Sequence, residues 1–171
     1  FYVGSWIKGA IFLGVEAALW YGYSRFSDKG QAIEDDFHTF ADMHWSEARW
    51  VANRSEHDPS THTLPETKTQ QYYEMIGKYD QFKAGWDDYA DGGPALTPRR
   101  DYYENLRNNS NIEFKRATTC VMLAMGNRLL SVFDTAFTIR SINRRVEAKM
   151  RMGVSETQTD RIPCFTIGLS W

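Results

Sequence analysis

The stretch Arg116 to Ile139, RATTCVMLAMGNRLLSVFDTAFTI, is an apolar helical run with Asn127, Arg128, Ser131 and Asp134 set into its middle. Such a helix has to be covered on nearly every side. Its polar groups must also find partners, because an unpaired buried charge costs several kcal/mol. Asn127, Ser131, Asp134 and Thr138 stand at i, i+4, i+7 and i+11 and so share one face, with Arg128 one residue round from it.

The apolar counterpart is Trp6 to Tyr23, WIKGAIFLGVEAALWYGY, whose only charges are Lys8 and Glu16. Its length is roughly 27 Å, marginal for a bilayer. Lys8 lies near one end and is expected to snorkel, whereas Glu16 is central and cannot. Gly9, Ala10, Gly14, Ala17 and Ala18 permit close helix approach. The two runs are therefore expected to pack as a transmembrane or membrane-embedded pair. Glu16 is the expected mate of Arg128, with Asn127, Ser131 and Asp134 completing a structural polar cluster. No continuous relay of ionisable groups is visible, so the cluster reads as a clamp on helix register in preference to a proton or ion path.

Taken whole, the chain is ordinary for a protein in contact with water: 171 residues, 42% apolar, 25% charged, with negative mean hydropathy. One domain, 1–171, is expected. A net charge of -2 offers no basic surplus for nucleic acid. Many of the aromatic residues gather at the ends of the two apolar runs, as in interfacial belts. Cys120 and Cys164 fit neither a disulfide framework nor a zinc site. The chain opens on Phe1, which is read as either a processed leader or a late start.

After Tyr23 an amphipathic helix is expected to continue to about residue 45, with Phe26, Ile33, Phe37, Phe40 and Met43 on its apolar face. Residues 46–110 read as an external helical insertion. Within it Ser46 caps a short helix, 55–68 is a proline-containing loop, Thr69 to Tyr89 is helical, and Thr97-Pro98 opens another helix. Asn108-Asn109-Ser110-Asn111 is expected to interrupt that helix, with Ser110 and Glu113 as a capping box for a long helix over 111–152. The end of that helix is basic: Arg140, Arg144, Arg145, Lys149 and Arg151 against Glu147. If both runs span, this end belongs in the cytoplasm and the acidic stretch 24–116 outside. In the tail, 153–171, Phe165, Ile167, Leu169 and Trp171 alternate with polar or small residues, predicting a β-strand that contacts a partner or another copy.

His38 and His44 are six apart, and His57 and His62 sit in the loop; neither pair has metal-ligand spacing with acids. No phosphate loop, GxSxG elbow or Cys/His pair anchors catalysis. No enzyme activity and no cofactor are expected.

YVGSWIKGAIFLGVEAALWYGY, FADMHW and NRLLSVFDT together resemble a family of small bacterial envelope proteins without an assigned activity. Lys8-Gly9-Ala10, Glu16-Ala17-Ala18, Ala41-Asp42 with His44-Trp45, and Asn127-Arg128 with Ser131 and Asp134 carry the resemblance, over about half the chain. That family's Pro-Gly-x-Gly-Gln turn does not occur here. The resemblance implies a secretory leader and an envelope location, and no chemistry.

The expected protein is thus mainly α-helical, with two packed apolar helices, an external helical insertion and one C-terminal strand. A structural or accessory subunit of a bacterial membrane assembly is the leading function, with other complex proteins, copies of itself and the bilayer as partners. A transporter or channel element built on the polar cluster, and a soluble periplasmic binding module, are the alternatives.

Overall fold

A computed structural model describes residues 6–54 and 61–152, with side chains to residue 145. They form α1 (Trp6–His44), α2 (Glu47–Asn53), α3 (Gln70–Lys78), a 3-10 turn over Asp80–Gly85, and α4 (Pro98–Met152). Among the described residues there is no strand, only an isolated antiparallel bridge between Trp45 and Trp86. The strand expected around Phe165, Ile167, Leu169 and Trp171 lies outside them, as do His57 and Cys164. Two compact units result: Leu19–Met122, and a second drawn from Phe1–Ala18 and Leu123–Trp171.

Leu19–Met122 is built around a core of Phe37, Ala41, Trp45, Trp50, Tyr72, Tyr73, Met75, Ile76, Phe82, Ala84, Trp86 and Tyr103. Burying indoles and phenols requires partners for their polar ends. Trp45 Nε1 donates to the Phe82 carbonyl at 3.0 Å, Trp50 Nε1 to Gln81 at 2.7 Å and Trp86 Nε1 to Ile76 at 3.1 Å. Tyr103 donates its hydroxyl proton to the Tyr73 carbonyl at 2.6 Å.

Those bonds explain one departure from expectation. Thr69 to Tyr89 is not one helix: α3 ends at Lys78 and the 3-10 turn follows. The carbonyls of Ile76, Gln81 and Phe82, which an α-helix would hand to the next turn, accept from tryptophans instead, and Gly77 accepts from Arg100 Nε at 2.7 Å. Arg100 is buried and also reaches the Ala95 carbonyl at 2.8 Å and Asp80 at 2.6 Å. The Gly85 carbonyl accepts from Ser46 N and from Arg49.

Nor does Asn108–Asn111 break the chain, since α4 runs straight through it. Asparagine costs a helix only tenths of a kcal/mol each, and the buried face of Tyr103, Ser110, Glu113 and Ala117 outweighs that. Ser110 is not a cap; its hydroxyl donates to the Gly30 carbonyl at 2.9 Å. A β-carbon at Gly30 would stand 3.0 Å from the Phe114 ring, a tight approach that the ring would have to give way to. Glu113 accepts from Lys29 at 2.9 Å and from Arg116 at 2.9 Å. Two smaller expectations also change: Met43 is exposed, and Ser46 precedes α2 without a side-chain cap bond. Thr97 does cap α4, its hydroxyl oxygen accepting from Arg100 N.

In the other unit the beginning of α1 runs antiparallel to the later part of α4, and here the usual distribution is reversed. Gly9, Phe12 and Glu16 on α1, and Ala124, Gly126, Asn127, Ser131, Asp134 and Thr138 on α4, are the partly or fully covered positions. Ile7, Ile11, Leu13 and Val15, with Leu129, Leu130, Val132, Phe133, Phe137 and Ile139, face outward. Among the described residues one helix, in its portion Pro98–Arg145, is long and apolar enough to cross a membrane, and only 6% of its most apolar window is buried. Trp6–Tyr23 does not reach that mark, because Lys8, Glu16 and its Trp and Tyr residues lower its hydropathy.

Candidate functional site

The polar cluster belongs to the unit formed by Phe1–Ala18 and Leu123–Trp171. Helical periodicity brings Glu16 to the covered side of α1 one turn after Phe12, opposite Asn127 on α4. Arg128 Nε donates to Glu16 Oε1 at 2.9 Å, and its Nη2 stands 2.8 Å from the same oxygen in an ion pair. Asn127 Nδ2 lies 3.1 Å from the Phe12 carbonyl and 3.3 Å from Glu16 Oε2. Both carboxylate oxygens therefore accept a hydrogen bond, and the contacts fix rotation and register of the two helices at one level.

Asp134 does not join this group. It pairs with Lys8 at 2.7 Å, at a second level. Lys8, expected to snorkel, is thus a partner in the cluster that sequence reasoning missed. Charge order would have found it: each helix reads positive then negative, Lys8 before Glu16 and Arg128 before Asp134. Two such helices satisfy both pairs only when antiparallel. Ser131 sits half-buried on the same face, where its carbonyl accepts from the Thr135 hydroxyl at 2.8 Å. Thr138 likewise bonds back to the Asp134 carbonyl.

A second group of charges lies in the Leu19–Met122 unit. His44 Nδ1 is 3.0 Å from Asp87 Oδ2, and Arg99 contacts both Asp87 and His44. Partial burial works against the Asp87 charge, but hydrogen bonds and charge from His44 and Arg99 outweigh it and hold the carboxyl below its ordinary range. Asp88 beside it accepts from Thr97 and from Arg99 N at the start of α4. These contacts tie the segment after the 3-10 turn to the end of α1 and the head of α4.

The remaining described histidines stack on tyrosines, His38 on Tyr73 and His62 on Tyr79, each with ring centroids 3.9 Å apart. Gln81, buried, holds the loop beside His62 by accepting from Thr61 N and His62 N and donating to the His62 carbonyl at 2.7 Å. Among the described residues no group of three His, Cys, Asp or Glu side chains could hold a metal ion. Comparison with protein-family models, curated proteins and solved structures finds no match for this chain.

Proposed function

We propose that this protein is a membrane-anchored, non-catalytic structural or accessory subunit of a bacterial envelope assembly. Its anchor is the antiparallel pair formed by the start of α1 and the later part of α4. The observation that carries the reading is the distribution in that unit: Glu16, Asn127, Ser131 and Asp134 lie inward, while most of the large aliphatic and aromatic side chains, Phe12 excepted, face outward beside Lys8 and Arg128. Water would drive the opposite arrangement, since a soluble monomer rarely leaves an apolar patch larger than a few hundred Å². Hydrocarbon favours this one, because polar groups between two helices then satisfy each other. The Lys8–Asp134 and Glu16–Arg128 pairs act as the clamp on the anchor, and the aromatic Leu19–Met122 unit supplies the folded domain available to partners.

The test is fractionation of native membranes followed by carbonate extraction, then gentle detergent solubilisation and mass spectrometry of stable neighbours. Retention through carbonate and recovery in a discrete complex is the expected result. Release by carbonate as a small monodisperse protein would overturn the membrane reading and favour a soluble binding module.

A further inference from the structure

Beyond the outward apolar face of α4, the same helix becomes basic within one turn. Phe137, which is 70% exposed, is followed by Arg140 at i+3 and Arg144 at i+7, so the three share one face. Arg145 stands one residue round, and a shallow surface groove is lined by Phe137, Arg140, Ser141, Arg144 and Arg145. Ile139 and Ile142, on either side of Arg140 in the chain, are exposed as well. The described side chains from Arg140 to Arg145 include no acid, and the sequence adds Lys149 and Arg151 against Glu147 alone.

We propose that Arg140, Arg144 and Arg145 bind the headgroups of anionic phospholipids. The proposal rests on the membrane reading above and deepens it by naming a ligand. An apolar helix placed in hydrocarbon carries its next residues through the headgroup layer, where arginine guanidinium groups meet phosphate oxygens. Arginine suits phosphate because its planar fork donates two parallel hydrogen bonds and its charge cannot be titrated away. Phe137 beside the arginines supplies the interfacial apolar contact that the glycerol and upper acyl region of a lipid requires. Arg140 and Arg144, one helical turn apart, have their Cβ atoms about 6 Å apart on one face, so their guanidinium groups reach neighbouring headgroups or a single diacyl lipid. The chain as a whole has a net charge of -2, so this end is a local feature and not a general affinity for anions.

The experiment uses the full chain reconstituted in phosphatidylcholine vesicles containing a minority of phosphatidylglycerol. Spin-labelled phosphatidylglycerol and phosphatidylcholine report the lipids in contact with the protein. Each arginine near an anionic surface is worth on the order of a fivefold preference, so the wild type should select phosphatidylglycerol clearly. The triple variant R140Q/R144Q/R145Q should select neither, and molar salt should erase the wild-type preference. Equal association of both lipids with the wild-type protein in carbonate-resistant vesicles would overturn the proposal while leaving the anchor intact. So would a preference that persists in the triple variant. Release of the wild type from the vesicles by carbonate would overturn the anchor and this proposal together.

Discussion

Replacing Arg128 by leucine removes the cation that faces the Glu16 carboxylate, and the size of the penalty depends on the solvent around it. Both Arg128 contacts fall on Glu16 Oε1, at 2.9 and 2.8 Å, while Asn127 serves Oε2. The Glu16 side chain is 18% exposed and that of Arg128 68%. In water an arginine that open is screened, and the pair contributes about 0–1 kcal/mol. In lipid the same exposure is to hydrocarbon, and removing one partner of a desolvated pair costs about 3–5 kcal/mol. Glu16→Gln combined with Arg128→Met removes both charges and keeps comparable volume, so it should recover most of that loss. A double-mutant cycle measured by detergent-titrated unfolding in phosphatidylcholine bicelles, followed by helical circular dichroism, gives the coupling directly. A coupling of about 2 kcal/mol or more is expected from the desolvated pair. A value within the water range, or equal damage from the single and double variants, would refute a desolvated clamp.

Three further outcomes follow from the Leu19–Met122 unit. Arg100→Met deprives the Gly77 and Ala95 carbonyls of a charged donor and should cost about 3 kcal/mol or more. Asp80→Asn, at a side chain 69% exposed, should cost under about 1 kcal/mol; hydrogen exchange across 76–100 separates the two, and equal effects would sink the asymmetry. Gly85→Ala would drive a β-carbon into the Trp45 indole and should cost about 1–3 kcal/mol by overpacking, read as lost near-ultraviolet dichroism; an unchanged spectrum and midpoint would contradict the packing. Burial first, then the hydrogen bond to Asp42 and its charge, push the Tyr73 hydroxyl up to about 12 from 10.0. Folding stability from this group is therefore complete below pH 10 and falls as pH rises from 10 through about 12, by about 1.4 kcal/mol per pH unit. Tyr72 is shifted the same way, chiefly by burial. Tyr73→Phe should make the alkaline limb of a pH-stability profile shallower, Tyr72 and Tyr103 carrying what remains, and an unaltered limb would refute the assignment.

The helical class and the starts of α1, α2 and α4 were legible because each follows from local pattern: apolar spacing, the Ser46 position, and Thr97-Pro98. The turn after Lys78 was not, since nothing local opposes a helix there. The ladder is given up because tryptophans and Arg100 from distant positions take its carbonyls, and that competition exists only in the folded unit. The Asn108–Asn111 segment errs in the opposite sense. Weak local propensity suggested a break, and the burial of Tyr103, Ser110 and Glu113 on one face overrode it.

The polar cluster shows how far sequence reasoning reaches when it is extended from residues to pairs. Glu16 with Arg128 was readable because each is a central charge in an apolar run, and two such charges have few alternatives to one another. Asp134 was assigned to the same group because it shares a face with Asn127, but face alone does not set level along the axis. In an antiparallel pair a step toward the C-terminus of α4 is a step toward the N-terminus of α1, so Asp134 must look for its partner before Glu16, where Lys8 stands. That rule makes the two ion pairs a single orientation code. A parallel pairing would set Lys8 against Arg128 and Glu16 against Asp134, like charges at both levels, and repulsion in a low dielectric is as strong as the attraction it replaces. Exchanging the two α4 charges, with Arg128→Asp and Asp134→Arg, should therefore abolish the antiparallel clamp although composition and hydropathy are unchanged. A further exchange, Lys8→Glu with Glu16→Lys, should restore it. Disulfide trapping between cysteines placed at the covered positions Phe12 and Ser131 reads the antiparallel arrangement, and trapping that is equally efficient in all three proteins would refute the code.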